Sequence, residues 1–110
     1  MGKIITAYCT RNCGLKKDKL YYGESMATYG KECNVPAYNK DKGELEVHNY
    51  HDKQNLPENT TFYDSPEMHD GKASASPDLE WGEVQLNQNG NICPNCGHHS
   101  MEFLTTGLFD

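Results

Sequence analysis

The stretch NGNICPNCGHHSMEF, residues 89–103, places Cys93 and Cys96 on a tight turn between an incoming segment, Asn91-Ile92, and an outgoing one, Met101 to Leu104. Two cysteines separated by two or three residues can reach one metal when the chain between them folds sharply. A glycine just after the second cysteine lets backbone amides face the sulfurs. The other end of the chain repeats the pattern. Lys3 to Tyr8 (KIITAY), β-branched and aromatic, runs into Cys9-Thr10-Arg11-Asn12-Cys13-Gly14, which suits a strand entering a metal turn. Each end therefore reads as strand, cysteine pair, glycine, strand. Tetrahedral zinc takes four donors and accepts thiolates well, so Cys9, Cys13, Cys93 and Cys96 are the predicted ligands of one Zn2+ ion.

Size and composition favour such a staple. The chain has 110 residues, of which 35% are apolar and 24% charged, with a mean hydropathy of −0.85. At this length and polarity apolar burial leaves little margin over chain entropy. No apolar run approaches the ~18–20 residues of a membrane span, and the start, MGKIITAYCT, lacks the apolar stretch of a secretory signal. A cytoplasmic location follows as the expectation. There disulfides do not persist, and paired cysteines serve as metal ligands or redox groups. MGKIIT fits a myristoylation pattern and Asn59-Thr60-Thr61 a glycosylation sequon; both patterns arise often by chance, and neither modification is expected.

Between the termini the sequence predicts a polar, mainly β chain. Leu20 to Tyr22 reads as a short return strand, after a basic loop at 15–19. Residues 24–31 have the composition of a helical turn or two, and residues 34–43 are turn-rich. Gly43 to Tyr50 alternates at period two, as a half-buried strand does. Residues 51–78 are dense in Asp, Asn, Ser, Pro and Gly, the composition of a flexible, loop-like stretch. From Leu79 the apolar positions Trp81, Val84 and Leu86 and the turn residues 87–90 predict a hairpin feeding the second cysteine pair.

The CPNCG knuckle at 93–97 closely resembles those of zinc-ribbon and rubredoxin-like proteins, and CTRNCG at 9–14 resembles them with one extra residue. The resemblance covers about thirty residues at the two termini and none of the middle. It implies a small β-rich domain, residues 1–110, whose ribbon halves lie at about 3–22 and 84–106, with a polar insertion at about 23–83. The departure is length: 79 residues separate Cys13 from Cys93. Loop closure costs entropy only logarithmically, so an insertion is affordable, and a metal joining both ends would clasp nearly the whole chain.

Other assignments follow from chemistry. An iron site of the rubredoxin type uses the same four ligands. A dithiol redox pair at Cys93 and Cys96 lacks the βαβ context of thioredoxin-like proteins. Cys33 reads as a buried structural thiol. His48 and His51, three apart on or after a strand, point to opposite faces and are assigned to solvent or hydrogen bonds; His98 and His99 flank a ligand set already complete. No catalytic motif is present: H-E-x-x-H, G-x-S-x-G and the P-loop are all missing, and a site of four cysteines leaves zinc no open position. Binding is thus expected, not catalysis.

Charge divides the chain. The net of −6 splits into six basic against two acidic residues over 1–31 and four against fourteen over 32–110; a zinc tetrathiolate adds about two more negative charges. The acidic body suits a protein-binding adaptor or inhibitor with a basic protein partner, with Tyr38, Tyr50, Tyr63 and Trp81 as contact anchors. The alternative partner is nucleic acid, contacted by Arg11, Lys16, Lys17 and Lys19 beside Tyr8, Tyr21 and Tyr22. Overall acidity opposes it.

Overall fold

The computed structural model describes residues 2–11, 13–24, 31–68, 75–81 and 84–109. It is a mainly β structure, as the sequence predicts. Among the described residues eight strands run in chain order: β1 Gly2–Cys9, β2 Lys16–Gly23, β3 Asn34–Asn39, β4 Glu44–Asn49, β5 Thr60–Phe62, β6 Ala75–Trp81, β7 Val84–Asn87 and β8 Met101–Phe109. Short 3-10 turns occupy Lys53–Asn55 and Pro66–Met68. The helical turn expected at 24–31 falls almost wholly on residues outside those described. No helix among the described residues is long and apolar enough to cross a membrane.

The main sheet is antiparallel, in the order β4-β3-β2-β1-β8, with β5 also on β3. It consists of two three-stranded parts. β8, β1 and β2 form one; β4, β3 and β5 form the other; the pair Gly23–Asn34 joins them. One edge of β3 is shared, by β2 at Asn34 and by β5 at Ala37 to Asn39. Pro36 lies between, and its carbonyl accepts a hydrogen bond from the Tyr63 amide (3.0 Å). Its missing N–H thus falls where the neighbouring strands change over, which makes a proline tolerable inside the sheet. This corrects the turn-rich assignment of 34–43. Val35 and Ala37 are fully buried, but the proline and the polar neighbours hide the alternation. Likewise Thr60 to Phe62 is a strand inside the loop-like stretch, too short for period two to register.

The core gathers Ile5, Ala7, Leu20, Tyr22, Val35, Ala37, Phe62, Tyr63, Met101 and Phe103 from the main sheet and its connections, with Leu79, Val84 and Leu86 from the β6–β7 hairpin. The hydroxyls of the two buried tyrosines are satisfied by backbone. The Tyr22 hydroxyl donates to the carbonyls of Leu79 and Val84, locking the hairpin to β2. The Tyr63 hydroxyl donates to the Ile92 carbonyl (2.8 Å), and its ring meets Phe103 edge-on at 5.4 Å. The hairpin pairs Trp81 with Val84, so it turns earlier than the expected 87–90. That later segment instead leads to a bridge between Asn91 and Met101.

Candidate metal centre

β1 and β8 pair along their lengths, from Gly2 opposite Phe109 to Cys9 opposite Met101. This pairing brings the two ends of the chain together. The last residue of β1 is a cysteine, and β8 begins five residues after Cys96, so both knuckles extend from one end of the same strand pair. The long separation in sequence therefore costs nothing extra once β1 and β8 have paired.

Each knuckle closes on itself and on the other. The Cys9 amide donates to the Leu15 carbonyl (3.2 Å), and Cys93 and Gly97 close the second turn through Cys93 N to His98 O and Gly97 N to Cys93 O, both 2.8 Å. Gly14 and Gly97 have φ of +90° and +75°, left-handed conformations that glycine adopts without steric cost. Asn95 Nδ2 donates across to the Cys13 carbonyl (3.1 Å), and Thr10 N to the Ser100 carbonyl (2.8 Å). Buried Asn91 anchors the approach to Cys93, its Nδ2 donating to the Asn87 and Met101 carbonyls.

The four sulfurs converge. Cys13 and Cys93 Sγ are 3.5 Å apart and Cys9 and Cys96 Sγ 3.8 Å, and all four lie within 4.8 Å of one another. Zinc–sulfur bonds of about 2.3 Å at tetrahedral angles place sulfurs about 3.8 Å apart. The cluster could bind a metal ion with small inward movements.

Local hydrogen bonds prepare the thiolates. The Cys9 thiol is pulled down to about 6, chiefly by the Ser100 hydroxyl and, against the effect of desolvation, by the Arg11 amide; these contacts are 3.2 and 3.4 Å long. Cys96 is also lowered, first by the His98 amide and then by Ser100, whose Oγ is 3.6 Å from its sulfur. Cys93 is fully buried, and desolvation pushes its thiol up to about 12. A cation between the sulfurs would offset that penalty. Ser100, shared by Cys9 and Cys96, was not legible in the sequence. Only the β1–β8 register sets it opposite Thr10.

The other predicted site residues are placed as follows. Arg11, Lys16, Lys17 and Lys19 are all exposed. The lysines, expected in a loop, belong to β2, where Tyr8 pairs with Lys16 and Ala7 with Lys17. β2 then bulges, with Lys19 at φ +59°, and Thr6 Oγ1 reaches Asp18 across the irregularity (3.0 Å). Of the tyrosines expected beside them, Tyr21 is 45% exposed but Tyr22 is fully buried and presents no stacking surface. Among the expected anchors Tyr63 is a core residue, Tyr50 donates to Asp64 (2.7 Å), and Trp81 is half-buried. His48 pairs with Glu46 at 2.8 Å, whereas His51 approaches Glu24 and Cys33. No protein-family model matches the chain, and no curated protein or solved structure matches it.

Proposed function

We propose that Cys9, Cys13, Cys93 and Cys96 hold one zinc ion in a closed structural site of the zinc-ribbon type, and that the domain it secures is a protein-binding adaptor or inhibitor. The observation that carries the metal assignment is the convergence of two glycine-ended cysteine turns, from opposite ends of the chain, on one point. With four thiolates the ion has no free position for water or substrate, so its contribution is structural. Iron in the same ligands would make an electron carrier instead, and the bound metal's identity separates the two. Elemental analysis of the untagged, chelator-free chain should find zinc, with one equivalent lost in Cys96→Ser. Iron retained after reconstitution with both metals would replace the reading.

The binding role rests on charge. The fourteen acidic residues over 32–110 outnumber four lysines there, and exposed Asp41, Glu44, Asp52, Glu58, Glu67 and Glu80 are distributed over the surface. Such a field attracts a basic protein and accelerates its encounter in a reducing compartment such as the cytoplasm. Exposure of Arg11, Lys16, Lys17 and Lys19 keeps nucleic acid as a second reading. Titration with a lysine-rich polypeptide and with a labelled oligonucleotide separates them. Saturable polypeptide binding unaffected by Lys16→Glu/Lys17→Glu supports the adaptor. Oligonucleotide binding with a steep salt dependence, lost in that variant, would overturn it.

A further inference from the structure

We propose that Glu24, Cys33 and His51 form a second metal site, for a divalent transition ion of the zinc class, at the opposite end of the sheet from the four-cysteine cluster. A carboxylate oxygen, the sulfur and an imidazole nitrogen of these residues lie within 4.8 Å of one another. Their placement follows from topology. Glu24 follows the last residue of β2, Cys33 precedes the first of β3, and His51 lies two residues after the last of β4. Because the strands are antiparallel and paired through Gly23–Asn34 and Asn34–Asn49, these three points share one end of the sheet. The four-cysteine cluster lies at the start of β2, and the strand between spans about 23 Å. The two groups of donors cannot share an ion.

The donors are held by the backbone around them. Asn49 Oδ1 accepts from the Cys33 amide (3.1 Å) and from the His51 amide (3.0 Å), so one side chain sets the positions of both residues. The Tyr50 amide also donates to the Cys33 carbonyl (2.7 Å). Asn34 Nδ2 donates to the Gly23 carbonyl (3.3 Å), tying the entry of Glu24 to the exit of Cys33. On the far side the Trp81 indole N–H donates to Glu24 Oε1 (3.4 Å), the kind of outer contact that orients a ligating carboxylate.

His51 Nε2 and Glu24 Oε1 are 3.9 Å apart, too far for a direct hydrogen bond. Two such donors around tetrahedral zinc stand about 3.4 Å apart, so a small approach would suffice. The set of thiolate, imidazole and carboxylate suits zinc and its neighbours and not magnesium or calcium, which take oxygen ligands. Access is one-sided: Cys33 is 2% exposed, while the side chains of Glu24 and His51 are 12% and 47% exposed. Three protein donors leave one coordination position, facing the His51 side, for water or an exogenous ligand. In this the second site differs from the closed cluster.

The test is metal stoichiometry of the full chain, dialysed against buffered zinc and, separately, cobalt(II), in the wild type, His51→Ala, Glu24→Gln and Cys96→Ser. His51 is exposed, so its replacement leaves the fold in place, which circular dichroism would verify. The expected result is two equivalents in the wild type and one in His51→Ala and in Glu24→Gln. The cobalt form of His51→Ala should also lose roughly a fifth of its thiolate-to-cobalt charge-transfer absorbance, one thiolate of five. Cys96→Ser, its fold verified in the same way, reads the four-cysteine cluster, and His51→Ala and Glu24→Gln read the second site without touching that cluster, so failure of either site leaves the other assignment intact. Retention of every bound equivalent in His51→Ala, or a wild type that binds a single equivalent, would overturn the second site.

Discussion

Removing the ion from the four-cysteine cluster should destabilise the fold by an amount set by chain topology. Cys13 and Cys93 are 80 positions apart. In the folded protein their sulfurs already lie 3.5 Å apart, because β1 and β8 are paired. An unfolded chain that kept all four thiolates on the metal would first have to close that loop, which by the chain-entropy relation costs about 4.5 kcal/mol at 25 °C. An unfolded chain that released two thiolates would bind the metal more weakly. Where release costs more than closure, the ion favours the folded state by about 4.5 kcal/mol, a large fraction of the roughly 5–15 kcal/mol that stabilises a typical domain. The perturbation is chelation, applied to His51→Ala so that only the four-cysteine cluster is read. The assay is guanidinium unfolding at neutral pH under reducing conditions, with and without a strong chelator. Chelation should lower the unfolding free energy by about 4.5 kcal/mol, or leave no folded baseline. Curves that agree within ~1 kcal/mol would mean that no metal bridges the two knuckles, and the topological reasoning would fail with them.

Gly23→Ala should cost about 2–4 kcal/mol in the same assay: the residue has φ +102°, and an added Cβ would stand 2.9 Å from Trp81 Cδ2. Truncating Trp81 in that background should recover the steric part alone, and purely additive losses would show that the ring is not the obstacle. Glu46 accepts a hydrogen bond from His48, and this contact first, with Asn39 and Lys42 contributing, holds its carboxyl below the usual carboxylate value. Its folded pKa being the lower, Glu46 adds stability above its unfolded pKa that is lost as pH falls through the folded one. Glu46→Gln should therefore destabilise at neutral pH and become progressively neutral in acid; a penalty independent of pH would assign its role to packing.

How much of this was legible in the sequence depends on how local the signal is. Cysteine spacing and a following glycine are local, and Cys9, Cys13, Cys93 and Cys96 do come together. The strands carrying them were equally visible, because Lys3 to Tyr8 and Met101 to Leu104 are rich in β-formers. Contacts made by register were not. Ser100 serves Cys9 and Cys96 only because Cys9 pairs with Met101. Glu24, Cys33 and His51 share no spacing motif, since three strand ends assemble them; the sequence pointed to Cys33 as a structural thiol and to His51 as solvated, and passed over Glu24. Tyr22 and Tyr63 show the same limit. Beside lysines or in a polar stretch a tyrosine reads as surface, yet each hydroxyl finds a backbone carbonyl inside the core.

The basic residues of the first knuckle acquire a different meaning beside a metal. A zinc tetrathiolate carries about two negative charges. Arg11 donates its amide to Cys9 Sγ, and Lys16 follows Leu15, whose carbonyl accepts the Cys9 amide. The backbone of both residues thus adjoins the proposed anionic centre, and screening between charges takes hold only over about 8 Å at physiological salt. Their first electrostatic effect is to balance that centre. Phosphates approaching the same surface would meet a field largely neutralised from beneath, and beyond it the acidic remainder of the chain. The bulge works in the same direction, since it sets Asp18 among the lysines and ties it to Thr6. With that centre filled, the charge left for a partner would be that of the acidic body, in keeping with the proposed basic protein partner. It also follows that Lys16→Glu/Lys17→Glu should weaken metal retention in competition with a chelator. Unchanged retention would remove the charge-balancing role and return the lysines to the nucleic-acid reading.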